Sequence, residues 1–323
     1  MNSADESRSV KVTHVLRLTE LANQPLWDGT YTPGIAGTRV QAPSKSGTAT
    51  AVSQKLGRVV VSHGAAEVYT ALALYHPNTI ALFEEHVLNP YAAQHPLASH
   101  PVHGQVPWPS TKGTVAIAQE LGLLRRHASV LHADGGDTLR IYWPYIGDHL
   151  VCLAAEQGPY AVEWDIKKST GDHGKPGPAT ATSKVQPRAI ARAQCRDEIY
   201  QGYMKELGIP IKRVAADDLD FTAATNLVRL WWSHGREPLL PKGLLQALLP
   251  EFNSTLSEGK PLTSLYPRLR KHRIAWEDAR DAFYVAVWRR QVRVSLFDPI
   301  LDDKPMRPEK LDILDAYAHL FAR

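Results

Sequence analysis

The stretch that most constrains this chain runs from Thr138 to Lys167, TLRIYWPYIGDHLVCLAAEQGPYAVEWDIK. Two β-rich runs flank AEQGP, whose Gly-Pro pair has turn chemistry, so the spacing predicts paired strands. In the second run Val162, Trp164 and Ile166 alternate with Glu163, Asp165 and Lys167. Successive strand residues point to opposite faces, so the two acids and the lysine share one side, neighbours about 7 Å apart. In a strand covered on both faces such charges are costly unless they are paired or bind an ion. The strand is therefore expected at an edge with solvent access, or around a cation. Asp148, in the preceding run, adds a third carboxylate.

Phosphodiester hydrolysis gives this set a use. Carboxylate oxygens hold Mg²⁺, with Mn²⁺ expected to substitute. The metal activates water and offsets charge on the scissile phosphate. A neighbouring lysine stabilises the pentavalent state. An acid followed, a short hairpin later, by D/E-x-K is the PD-(D/E)xK nuclease plan. Here it reads Asp148, then Asp165-Ile166-Lys167, with Glu163 as a back-up ligand on the same face. Glu67, in a helical segment upstream, is assigned as a further ligand. A short motif of this kind also occurs on solvated strands, so its context decides.

The context is an α/β chain. SHGAAEVYTALALYH (62–76) reads as a helix, with Ser62 as its cap and Pro77-Asn78 as its stop. IALFEEHVL follows as a short strand. Residues 89–110 carry three histidines, but five prolines break their spacing and no Cys accompanies them, which disfavours a metal site there. A helix is expected within 114–131, a flexible loop over 168–183, a helix over 188–207, a strand at GIPIKRVA, and a helix ending at Gly235. REPLLP marks a boundary. Beyond it three helical segments and the strand RVSLF suit a winged-helix-like module.

Charge follows the same division. From Lys260 to Arg293 there are nine Lys/Arg against three Asp/Glu, the footprint of a surface that meets duplex DNA. Arg268, Arg270, Lys271, Arg273, Arg289 and Arg290 are the candidate DNA contacts there. Residues 1–57 read as a basic arm with a few edge strands, made basic by Arg39, Lys45 and Lys55 with the adjoining Arg58. Lys55 and Arg58 join the candidate contacts. The expected organisation is an arm (1–57), a nuclease domain (58–236) with a restriction-endonuclease-like mixed-sheet core, a winged-helix-like domain (237–310) and a tail (311–323).

Length and composition agree with this. The 323 residues suffice for two domains with cores of their own, and eight tryptophans exclude a largely disordered chain. Only Cys152 and Cys195 are present, which excludes a disulfide framework and disfavours a structural zinc site. A reducing, cytoplasmic setting is expected. No apolar run has the length of a membrane span, and the N-terminus lacks a signal-type apolar segment.

Several stretches, in order, resemble the TnsA-like endonuclease family. VSQKLGRVVV is similar to its basic approach S-x-K-x-x-R. Ser62, Glu67, Pro77 and FEEHV follow its Ser, helical Glu, turn and strand. YWPYIGDHLVCL and VEWDIKK are similar to its two catalytic strands, with Gly147 where the family usually has Pro. The resemblance spans roughly residues 52–296 and ends in a C-terminal winged helix. It implies that Glu67, Asp148 and Asp165 form the acidic set and that Lys167 is the catalytic lysine. It also implies Mg²⁺-dependent cutting at the 5′ ends of a mobile element, as one subunit of a heteromeric cut-and-paste transposase. An RNase H-like (DDE) transposase and an AAA+ ATPase regulator would be its partners. The alternatives are a stand-alone PD-(D/E)xK restriction or repair nuclease, and a DNA-binding scaffold with a decayed nuclease fold.

Overall fold

A computed structural model describes residues 3–38, 47–134, 137–175 and 187–323. Along the chain come α1 (Ser3–Ala22), β1 (Thr48–Ser53), β2 (Arg58–His63), α2 (Ala66–Tyr75), β3 (Thr79–Glu84), β4 (Val87–Leu88) and β5 (Ala93–Gln94). Next are β6 (Ser110–Thr111), α3 (Thr114–Glu120), β7 (Ser129–Asp134), β8 (Asp137–Tyr142), β9 (Tyr145–Ile146), β10 (His149–Leu153) and β11 (Tyr160–Lys167). Then follow α4 (Pro187–Glu206), β12 (Ile211–Ala215), α5 (Phe221–His234), α6 (Leu244–Ser257), α7 (Tyr266–Lys271), α8 (Trp276–Trp288) and α9 (Ile313–Ala316). The chain is thus mixed α/β, as expected. Among the described residues no helix is long and apolar enough to cross a membrane.

The chain divides into two compact units that interleave in sequence. The first comprises residues 1–44, 81–214 and 323, the second 45–80 and 215–322. The sequence suggested a linear order of arm, nuclease domain and winged helix; here residues 45–80 group with the C-terminal helices.

The first unit is organised by a mixed four-stranded sheet in the order β12-β11-β10-β3. Its central hairpin pairs β10 with β11 antiparallel, Val151 opposite Val162 and His149 opposite Trp164. Leu150, Val151, Cys152, Val162 and Trp164 are buried, and α4 contributes Cys195, Ile199, Tyr200, Tyr203 and Met204 to the same core. β11 is therefore interior, with a neighbour on each side, and not the edge strand that one reading of its charges suggested. A separate hairpin pairs β7 with β8.

In the second unit every residue of α2 except Glu67 is buried, as its Ala, Val, Leu and Tyr content dictates. α5 shows why amphipathic spacing works: Ala223, Asn226, Leu227, Leu230, Trp231 and His234 fall on one buried face. Asp220 caps it by accepting from Ala223 N at 2.9 Å, and Gly235 ends it. α5 and α6 pack on α8.

Four local expectations are corrected. The N-terminal arm begins with a 20-residue helix, because Val12, Val15 and Leu18 recur at helical spacing and are buried. Ser62 lies buried in β2 and does not cap α2, whose N-cap is Ala65. The helix expected over 114–131 stops at Glu120, and β7 starts at Ser129, where Ser-Val-Leu begins to alternate. RVSLF forms only a single bridge, Val294 to Pro308. Arg39, Lys45 and residues 176–183 of the expected loop lie outside the described residues.

Candidate active site

The register of the β10–β11 hairpin builds the site. Continuing its pairing one step past His149–Trp164 sets Asp148 opposite Asp165. Asp148 is fixed there by two contacts of its own: its Oδ2 accepts from Ile166 N at 2.6 Å, and its carbonyl accepts from Glu85 N at 2.7 Å. Glu85 has φ of +48°, and this left-handed step separates β3 from β4, where the sequence suggested one strand.

Lys167 joins the two aspartates. Its Nζ donates to Asp148 Oδ2 at 3.1 Å, to Asp165 Oδ1, and to Ile166 O at 3.1 Å. Asp165 Oδ2 also faces His173 Nδ1 at 3.0 Å. Burial pushes the Asp165 carboxyl up, but Lys167 and His173 outweigh it and hold Asp165 below the usual carboxylate range. For Lys167 burial acts downward, and the two aspartates overcome it and raise the ammonium. The pairing thus favours the charged forms of both Asp165 and Lys167.

Beneath them the same face of β11 carries Glu163, which is wholly buried. Its Oε1 accepts from Tyr200 OH, and its Oε2 lies 3.4 Å from His86 Nε2 without a hydrogen bond. Burial drives the Glu163 carboxyl well above its ordinary range, against the Tyr200 bond, which acts the other way. Burial likewise pushes Glu85 up to about 8 and His86 down to about 3. Gly147 leaves space for this cluster: a Cβ there would lie 2.7 Å from Glu163 Oε1 and closer still to the His86 ring. A side chain at 147 would therefore force His86 or Glu163 to shift.

The acids open onto a cleft of about 600 Å³, also lined by α4 through Arg188, Arg192 and Arg196. These exposed arginines stand at i, i+4 and i+8, so they are neighbours on one helix face. Like charges at that spacing destabilise a helix by about 0.2–0.5 kcal/mol per pair. Arg196 donates to Ile146 O at 2.9 Å. Among the described residues Arg188 and Arg192 have no ion pair or hydrogen bond.

Of the residues assigned from sequence, Asp148, Asp165 and Lys167 converge, and Glu163 lies behind them. Glu67 belongs to the second unit, where its Oε1 accepts from Trp232 Nε1 at 2.9 Å. The candidate DNA contacts divide. Lys55 donates to Leu74 O and His76 O at 3.0 and 2.6 Å, closing the C-terminal end of α2. Arg58 donates to Val59 O at 3.0 Å. Arg268 pairs with Glu251 at 2.8 Å, Arg289 with Glu237 and Arg290 with Asp312. Arg270, Lys271 and Arg273 are exposed at the end of α7 and carry no side-chain partner among the described residues. Sequence reasoning missed Glu85, His86, His173 and Tyr200, which no local pattern marks. It also missed the α4 arginines, which the repeat Arg-x-x-x-Arg-x-x-x-Arg did mark.

The donor set fits a hard divalent cation. Carboxylate oxygens of Asp148 and Asp165 line the cleft, and Glu163 Oε2 is a buried acceptor with no hydrogen bond. Among the described residues no three His, Cys, Asp or Glu side chains are already gathered as a ligand set, and the Lys167 ammonium touches both aspartates. Compared with known families and proteins, the chain matches no family model and no curated protein.

Proposed function

We propose that this chain is a metal-dependent DNA endonuclease with a restriction-endonuclease-like core, acting as the 5′-end-cutting subunit of a heteromeric transposase. The observation that carries the reading is the meeting of Asp148, Asp165 and Lys167 on one hairpin, at a cleft whose other lining is arginine-rich. Mg²⁺ or Mn²⁺, when bound, would activate water and offset phosphate charge, with Asp148 and Asp165 as its holders and Glu163 behind them. Lys167 orients the attacking water or donates to the phosphorane oxygen. His173 restrains Asp165, and the Asp148 carboxylate is held in register by Ile166 N.

Glu67, carried by α2, remains the assigned helical ligand on the strength of the family resemblance alone. We read α6, α7 and α8 as a winged-helix-like module, supported by the exposed Arg270, Lys271 and Arg273. The proposed partners are duplex transposon-end DNA, an RNase H-like transposase and an AAA+ regulator.

The test is nicking of duplex DNA carrying the element's ends, with Mg²⁺, with Mn²⁺ and with EDTA, in the presence and absence of the transposase encoded beside it. The expected result is cation-dependent 5′-end nicking that needs the transposase and is abolished in Asp148→Ala. Cutting without the transposase would favour the stand-alone nuclease. No cutting, together with no Mn²⁺ binding by calorimetry, would leave the DNA-binding scaffold.

A further inference from the structure

The acids and lysine of the hairpin account for bond cleavage but not for how a strand is held across them. The cleft answers this with a row on α4: Arg188, Arg192 and Arg196, and in the next turn Tyr200. Tyr200 is buried and donates to Glu163, so the row runs from solvent down to the acid cluster. Arg196 is steadied by Ile146 O, two residues before Asp148. The nearest acid in the cleft on this helix, Asp197, is engaged by Arg213 at 2.6 Å. Arg188 and Arg192 are left as solvated cations facing the cleft. They repel each other at i, i+4, and Arg188 adds a positive charge to the first turn, where the helix dipole already disfavours one. A polyanion relieves both.

We propose that Arg188, Arg192 and Arg196 form a phosphate track that positions the strand to be cut over Asp148, Asp165 and Lys167. The inference rests on the nuclease reading for what is cut, and it adds the residues that hold it. Eight residues of helix advance about 12 Å. That run spans three to four phosphates of one strand at about 3.4 Å of axial rise each. Arg guanidinium suits the task because its planar fork engages two phosphate oxygens at once. These are positioning residues: they meet the flanking backbone, not the reacting atoms.

The test is binding of a fluorescent 30-base-pair duplex by the full chain in EDTA, measured by anisotropy across a salt series. The variants are Arg188→Gln/Arg192→Gln, Arg192→Lys and, as a control, Arg125→Gln, an exposed arginine outside the cleft. Loss of two phosphate contacts lowers the slope of log K against log salt by about 1.8. The double variant is expected to show that drop and at least a tenfold loss of affinity at low salt. Arg192→Lys should keep the slope, and Arg125→Gln should match the wild type. In the nicking reaction the double variant should raise KM with kcat largely retained at saturating DNA. An unchanged slope in the double variant, or no duplex binding by the wild type, overturns the track. Binding through the arginines by a chain that does not cut would instead keep the track and remove the nuclease reading.

Discussion

Two ionic clusters in this molecule look alike on paper and differ in their balance. In the second unit Arg290 and Arg293 meet Asp312 and Glu309. Asp312 accepts from Arg290 Nη1 at 3.1 Å, from Arg293 Nη2 at 2.9 Å and from Leu314 N at 2.9 Å, so its oxygens are well satisfied. Two cations face two anions, and Arg290 also lies over the Tyr75 ring at 5.2 Å. In the first unit Asp148, Asp165, Glu163 and Glu85 gather around a single lysine with His173 beside it. One cluster is neutralised by its own residues. The other sets four acids against one lysine, with the α4 arginines lining the same cleft, and its deepest members, Glu163 and Glu85, are driven toward the protonated form. A balanced cluster is what structure alone requires. An unbalanced one, kept at the mouth of a cleft, costs stability unless something positive arrives.

Substitutions in each cluster test this difference. The largest mutational effect belongs to the balanced cluster: Arg290→Ala, which leaves the partly buried Asp312 only Arg293 and Leu314 N as donors, should cost about 1.5–3 kcal/mol in a urea titration. A value near zero would erase the structural role.

The two clusters should also respond oppositely to pH. Burial acts upward on Glu85 and carries it from 4.5 to about 8, so above pH 4.5 the unfolded chain binds fewer protons than the folded one. Stability from this group is therefore present below pH 4.5 and lost as pH rises to 8. Glu85→Gln should flatten that decline. For Asp312 burial also acts upward, but Arg290 and the other donors prevail and lower it from 3.8 to about 2. Its contribution is present above pH 3.8 and lost as pH falls to 2, about 1–2 kcal/mol. Melting curves across pH 2–8, with Asp312→Asn and Glu85→Gln, separate the two. Loss of stability at the same end of the range in both would contradict the contrast.

The smallest effect is expected at Glu163. Because burial holds it protonated, Glu163→Gln keeps shape and the Tyr200 bond and should change stability by less than about 1 kcal/mol at pH 7. A loss of several kcal/mol would mean that its charge, not its shape, is used in the resting fold.

Much of the hairpin was legible in the sequence, because period-two alternation fixes a face and the AEQGP turn fixes a neighbour. That pattern alone brings Asp148, Asp165 and Lys167 together. The burial of Glu163 was not legible: it depends on β12 flanking β11 and on Tyr200 arriving from α4, both distant in sequence. His86 and Glu85 enter through a single left-handed residue between β3 and β4, which no composition rule marks. A basic count over 260–293 does not reveal which cations are already paired. Arg289 and Arg290 have acids of their own, whereas Arg188 and Arg192, at regular helical spacing, have none among the described residues. The helix at the N-terminus is hidden by its polar residues, since among its described side chains only Val12, Val15 and Leu18 are buried.

The most direct measurement compares one residue from each cluster in a single nicking assay. Lys167→Ala and Arg290→Ala are assayed on duplex DNA in the cation-containing reaction in which the wild type cuts, with melting temperature recorded alongside. Lys167→Ala should cut slower by on the order of 10³-fold per folded molecule, a loss beyond what its lowered melting temperature accounts for. Arg290→Ala should melt at a lower temperature but cut at a near-wild-type rate per folded molecule. Wild-type cutting by Lys167→Ala, or no cutting by the wild type with or without its transposase, would contradict the assignment of the unbalanced cluster as the active site.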